Sequence, residues 1–283
     1  MKAGLVLEGG GMRGLFSAGV MDVLMEQGIR FDGIVGVSAG ASFGCNYKSH
    51  QIGRVLRYNV RFKDDPRYMG LRCLLRTGDL VAAEFSYHTL PKELDVFDFE
   101  AYNRDPAEFH VVCTDVETGN PVYHRIDFMD DEGLEWIRAS ASMPLVSKPV
   151  NIGGRLLLDG GISDSIPLRY FQEQGFGRNL VILTQPKGFY KKRTKLMPLF
   201  HLFMSRYPAI VQAMSRRHLM YNEELAYLEE QAQKGNILLI YPQDELPIGR
   251  TEQNEKKMRR IYAMGRAKAE EMLSEIQAFA IHS

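Results

Sequence analysis

Apolar residues along the chain alternate between short continuous runs and longer stretches at helical spacing, the pattern of a largely parallel sheet wrapped by helices. Residues 4–8 (GLVLE) read as a buried strand, and residues 14–27 as a helix with Leu15, Ala18, Val20, Val23 and Leu24 turned inward. Residues 32–37 (DGIVGV) read as the next strand, with a second helix starting near Ala39. Two more strands, 108–115 and 121–126, flank the turn Glu117-Thr118-Gly119-Asn120, and a helix over 131–140 stops before Pro144. Residues 150–158 turn at Gly153-Gly154 and end in Leu156-Leu157-Leu158; residues 179–184 and 236–241 complete the strands. The expected fold is a three-layer α/β/α arrangement with a mainly parallel central sheet over residues 1–185. A mainly helical C-terminal region, 186–283, is expected to pack on that core and to end in one charged helix over about 252–278.

Composition narrows the class. With 45% hydrophobic and 25% charged residues in 283, the chain is neither disordered, collagenous nor a coiled coil. Basic and acidic residues balance at 35 each, so no global field favours nucleic acid, and charged partners must be recognised locally. Cys45, Cys73 and Cys113 are scattered and form neither a disulfide framework nor a thiolate metal site, which fits a reducing compartment. The N-terminus has no secretory pattern and no run approaches a membrane span, so the expected location is cytoplasmic.

Candidate chemistry sits in the glycine turns. Gly9-Gly10-Gly11-Met12-Arg13-Gly14 joins a strand to a helix, where backbone amides converge on an anion beside a positive helix end. The same spacing fits a dinucleotide loop or a plain tight turn. A dinucleotide site, however, wants an acidic residue after the second strand, and Asp32 precedes that strand. The strand runs instead into Gly36-Val37-Ser38-Ala39-Gly40, a GxSxG turn at a strand-to-helix junction, whose alternative reading is a helix N-cap serine. One crossover separates the two turns, so both should open at the same sheet edge and bring hydroxyl and amides face to face.

A serine hydroxyl needs a base. None of the seven histidines follows an apolar strand within a glycine turn, whereas Asp159 ends Leu156-Leu157-Leu158 and precedes Gly160-Gly161. Partial burial would raise its pKa and suit it to a direct Ser/Asp dyad; the alternative is a turn-forming or capping aspartate.

GGGMRG, GVSAG and DGG, in that order, resemble the patatin-like phospholipase family, over residues 4 to about 185. The resemblance implies that Ser38 is the nucleophile and Asp159 the proton acceptor. It implies that Gly9, Gly10 and Gly11 with Arg13 shape the oxyanion loop that runs to Gly14, and that Gly36 and Gly40 frame the nucleophile elbow. No metal, cofactor or histidine is implied. The segment Ala139-Ser140-Ala141-Ser142-Met143-Pro144 looks like the family's block before the aspartate, while Glu8 departs from the aspartate common in plant members. An α/β-hydrolase is disfavoured, because Ser38 comes too early in the chain.

The expected activity is therefore cleavage of acyl esters in phospholipids or other lipids. Acyl transfer on the same dyad, a nucleotide-binding module on GGGMRG and a catalytically idle lipid binder are the alternatives. Two basic and apolar stretches, 54–76 and 187–203, fit either solvated faces or transient contact with a membrane surface, the second as a cover over the site. Nucleic acid is not an expected partner, since aromatic interleaving is absent from the charged C-terminal helix.

Overall fold

The computed structural model describes residues 2–281. β1 (Lys2–Leu7) ends at the first glycine turn, α1 (Gly14–Glu26) returns, and β2 (Gly33–Val37) lies parallel to β1 with Leu7 opposite Gly36. α2 (Ala39–Lys48) leaves directly from the end of β2. The chain then makes a helical excursion through α3 (Arg54–Arg61), α4 (Leu71–Thr77), a π-helical segment Phe85–Leu94 and α5 (Phe99–Arg104). It re-enters the sheet with β3 (Glu108–Asp115) and β4 (Pro121–Arg125), then forms α6 (Asp131–Ser140) and the hairpin of β5 (Val150–Ile152) and β6 (Arg155–Asp159). α7 (Leu168–Glu173) leads into β7 (Phe176–Ile182). The remainder is α8 (Met197–Phe203), α9 (Pro208–Gln233), β8 (Ile237–Ile240), α10 (Glu255–Glu271) and α11 (Leu273–Ile281).

These strands form one mixed sheet in the order β5-β6-β3-β2-β1-β7-β8, with β4 added on β3. Strands β3, β2, β1, β7 and β8 are parallel, and the pairings of β3 with β4, β3 with β6 and β5 with β6 are antiparallel. Alternation along the strands sorts their side chains into two layers. Leu5, Leu7 and Ile34 pack with Leu15 of α1, Phe43 of α2 and Ile261 of α10. Val6, Val35 and Val37 pack instead with Phe171 of α7 and Tyr221 and Leu228 of α9. The result is three layers, and β8 carries the sheet itself into the C-terminal region.

β3 sets the geometry of the site. Val112 pairs with Val37 of β2 on one side and Tyr123 of β4 on the other, while Cys113 pairs with Val122 of β4 and Asp159 of β6. With β4 holding one edge throughout, β2 and β6 share the opposite edge end to end. They run in opposite directions, so their ends face each other at Val112 and Cys113.

Two expectations are corrected. Arg54 is not on a solvated face: its guanidinium is buried, 3.2 Å from Asp95 and hydrogen-bonded to Asn46 Oδ1 at 2.7 Å. The C-terminal helix is two helices, because the chain turns at Met272 and α11 then buries Ile276. All three cysteines are free and buried. No helix among the described residues is long and apolar enough to cross a membrane.

α1 and α10 approach closely through glycines. A Cβ at Gly265 would lie 2.0 Å from the Phe16 carbonyl oxygen, and one at Gly19 2.1 Å from that of Tyr262. Helix propensity favours Ala over Gly by about 1 kcal/mol. A clash with backbone cannot be relieved by a rotamer change and outweighs that gain, at about 1–3 kcal/mol. Gly265→Ala is therefore expected to lower the thermal midpoint and Gly265→Val to lower it further. Gly249→Ala, where a Cβ meets nothing within 4 Å, should change stability by no more than about 0.5 kcal/mol.

Candidate active site

Ser38 occupies the sharp turn between β2 and α2 with φ 56° and ψ −119°, a left-handed conformation that costs a non-glycine residue about 1–3 kcal/mol. The neighbouring glycines allow it. A Cβ at Gly36 would sit 2.5 Å from the Gly40 carbonyl, and one at Gly40 2.4 Å from the Leu7 carbonyl oxygen. The Ser38 amide donates to Ser140 Oγ at 2.9 Å, and Ser140 Oγ donates onward to the Val112 carbonyl at 2.6 Å. The elbow is thereby tied to β3.

Gly9 lies against the elbow, where a Cβ would be 2.8 Å from the Val37 carbonyl oxygen and 2.9 Å from the Ser38 Cβ. Gly11 takes φ 58° and packs on the Arg250 backbone, whose carbonyl accepts the Met12 amide at 3.1 Å. Thr184 Oγ1 donates to the Gly9 carbonyl at 3.0 Å. No hydrogen bond among the described residues takes the amide of Gly9, Gly10 or Gly11, and all three residues line the cavity.

Asp159 terminates β6 and is buried. Its amide donates to the Ser142 carbonyl at 2.8 Å, its Oδ1 accepts the Gly161 amide at 2.8 Å, and its carbonyl accepts from Thr114 Oγ1 at 2.8 Å. Burial raises its pKa, against the lowering effects of the Ser38 side chain, the Arg217 guanidinium, the Gly161 amide and Arg250. Ser140 and Ser142 come from one small-residue block, so that block links the serine turn to the aspartate turn.

The predicted residues separate into three groups. Ser38, Asp159, Gly9, Gly10, Gly11 and Arg13 line one cavity of about 490 Å³. Gly36 and Gly40 lie outside it and shape the elbow, and Gly14 is the first residue of α1, with a Cβ there 3.0 Å from Phe43. Gly14 does not line the cavity and packs against α2.

Sequence reasoning missed three residues of α9 that brace these corners. Arg217 Nε donates to the Gly161 carbonyl, the Tyr221 hydroxyl donates to Glu8 Oε1 at 2.6 Å, and Glu224 Oε1 accepts the Ser165 amide at 3.0 Å. Their spacing of four and three residues puts them on one helix face, a signal the sequence did carry. His218 of the same helix lines the cavity with a buried, unpartnered Nδ1. α8 stands at the mouth: Phe200 faces the cavity, and Leu199, Leu202 and Phe203 are exposed.

Comparison with known sequences fits this geometry. The profile of the family described as patatin-like phospholipase matches residues 5–171, and that of a domain of unknown function, DUF6363, matches residues 207–280. The uncharacterized protein YjjU of Escherichia coli (strain K12) is 28% identical over 256 residues, covering 85% of this chain and 68% of that protein. Lysophospholipase NTE1 of Cryptococcus neoformans is 29% identical over 184 residues, which is 64% of this chain and 11% of the fungal protein. The crystal structure of VipD from Legionella pneumophila aligns with 97% of this chain and 67% of its own at 14% identity and a TM-score of 0.49. The profile match takes in more than half of the chain, including both the elbow and the aspartate turn, and the chain belongs to the patatin-like phospholipase family.

Proposed function

We propose that the protein hydrolyses carboxylic esters of lipids through an acyl-Ser38 intermediate, with Asp159 as its proton acceptor and donor. Family membership points to lipid ester hydrolysis, and one relative is named a lysophospholipase. The observation that carries the finer reading is the head-on meeting of β2 and β6 on one edge of β3, which sets the strained serine beside a buried carboxylate.

In the first half-reaction, Asp159 takes the Ser38 proton as Oγ attacks the carbonyl carbon, and the free amides of Gly9, Gly10 and Gly11 face the oxygen on which negative charge develops. The carboxylic acid then protonates the departing alkoxide as the ester bond breaks. In the second, the regenerated carboxylate takes a proton from water, hydroxide adds to the acyl carbon, and the proton returns to Ser38 as the fatty acid leaves. The exposed apolar side of α8, flanked by Lys192, Arg193 and Lys195, supports brief contact with a lipid surface during substrate entry.

Purified protein is expected to hydrolyse a short-chain nitrophenyl ester and to react with a fluorophosphonate at Ser38. Ser38→Ala and Asp159→Asn should each lower kcat about a thousandfold or more, and full turnover in either variant would reject the dyad.

The base works ionised, so a raised Asp159 pKa places the acidic limb of the kcat/KM profile above the ordinary carboxylate value of 3.8, with activity falling as pH drops through it. Arg217 favours the ionised form. Arg217→Gln should therefore move that limb to higher pH, measured on the same ester; a shift to lower pH would contradict the assignment.

A further inference from the structure

We propose that the cavity beside Ser38 contains a site for the phosphate group of an acyl ester, formed by Lys191, Arg250 and Arg13. A second, adjoining cavity that also borders Ser38 would take the acyl chain. The proposal rests on the hydrolase reading above for its substrate, but its binding step can be measured without catalysis.

Three observations converge. First, the three cations come from separate segments yet line one cavity, and none of them makes an ion pair among the described residues. Arg13 Nε is buried with no acceptor. The Lys191 ammonium rests over the Tyr221 ring at 3.9 Å and the Phe189 ring at 5.5 Å. Its backbone is clamped, the amide donating to Asn222 Oδ1 at 2.9 Å and the carbonyl accepting from Asn222 Nδ2 at 3.0 Å. The charge is therefore held in place.

Second, nearby acids do not answer it. Glu8 accepts the Thr184 amide on Oε2 at 2.6 Å and the Tyr221 hydroxyl on Oε1 at 2.6 Å, and the Thr184 hydroxyl is shared between Oε2 and the Gly9 carbonyl. Asp159 faces Arg217, and Glu245 is exposed at the rim, as are Lys192 and Arg250 itself. Lys191 accordingly sits at about 7, lowered by burial first and then by Arg217, with Arg250 and Arg13 adding to it against the pull of Glu8. A bound dianion would reverse that repulsion and satisfy the Arg13 donor.

Third, Ser38 also borders a second cavity of about 180 Å³ lined by Phe43, Tyr58, Tyr68, Leu90 and Ile137. Arg250 borders this second cavity too and so stands where the two meet, and an ester carbonyl at Ser38 has aromatic and aliphatic walls in one cavity and Lys191 and Arg13 in the other. That is the polarity of a single-chain acyl ester carrying a phosphate, such as a 1-acylglycerol 3-phosphate.

The test compares kcat/KM for 1-acylglycerol 3-phosphate with that for the 1-acylglycerol of the same chain. The phosphate ester should lead by about tenfold or more in the parent protein. The ratio should fall toward one in Lys191→Met and Arg250→Gln and be restored in Lys191→Arg. A ratio near one in the parent protein, or one that neither substitution moves, overturns the proposal. If neither ester is cleaved, the hydrolase reading fails separately. The site is then judged by calorimetry with glycerol 3-phosphate on the parent, Ser38→Ala and Lys191→Met proteins. Binding that survives in Ser38→Ala and weakens in Lys191→Met supports the site, and absence of binding overturns it. Equal affinity for inorganic phosphate assigns the cations to the free ion and overturns the substrate assignment.

Discussion

The site depends on β3 offering one edge to two strands that approach from opposite directions. β2 occupies that edge as far as Val112 and β6 begins at Cys113, so Ser38 and Asp159 are set by adjacent positions on a single partner strand. Gly160 permits the approach, since a Cβ there would fall 2.1 Å from the Val112 carbonyl oxygen. Relative placement is then a matter of sheet register, which slips only in steps of whole residues and at the cost of turning buried side chains outward. Ser140 and Ser142 reinforce it with one hydrogen bond to each corner. A serine and an acid far apart in the chain are thus held by rigid elements, not by loops.

The C-terminal region completes this frame. One face of α9 reaches the aspartate turn through Arg217 and Glu224 and the glycine loop through Tyr221 and Glu8. The Arg250 carbonyl holds the Met12 amide, at a contact only a glycine at position 11 allows. β8 pairs with β7, and α10 lies on α1. The glycine loop is therefore fixed by segments far along the chain, which couples its conformation to the folding of residues 208–271.

Much of this was legible in the sequence where local chemistry is strict. GGGMRG, GVSAG and DGG each mark a backbone position that admits no side chain, and the β1–α1–β2 unit, α6 and the hairpin at Gly153-Gly154 are dictated by apolar periodicity. The illegible part is pairwise. Spacing puts Arg217, Tyr221 and Glu224 on one helix face, but nothing local marks that face, or Arg250, as different from a solvated one, because their roles exist only once α9 and residue 250 are docked. Arg54 misled for the same reason: a basic residue within an Arg-rich helix reads as exposed until its partners Asp95 and Asn46 are placed. At Gly14 the Phe43 ring leaves little room for a side chain, so helix packing also favours a glycine there.

The electrostatics of Asp159 carry two opposed requirements. A carboxylate in water is too weak a base to take a proton from serine, and burial strengthens it by disfavouring its charge. Burial alone would carry this too far, leaving the group protonated and unable to accept. Here desolvation is the dominant influence and is checked by the Gly161 amide and the guanidinium of Arg217. The half-buried Arg217 has its own pKa lowered by the same desolvation, and Asp159 is the largest favourable influence on its charge. Each ion thus makes the other tolerable in the interior. In the dyad proposed above, burial supplies the basicity of Asp159 and the helix that brings Arg217 tempers it.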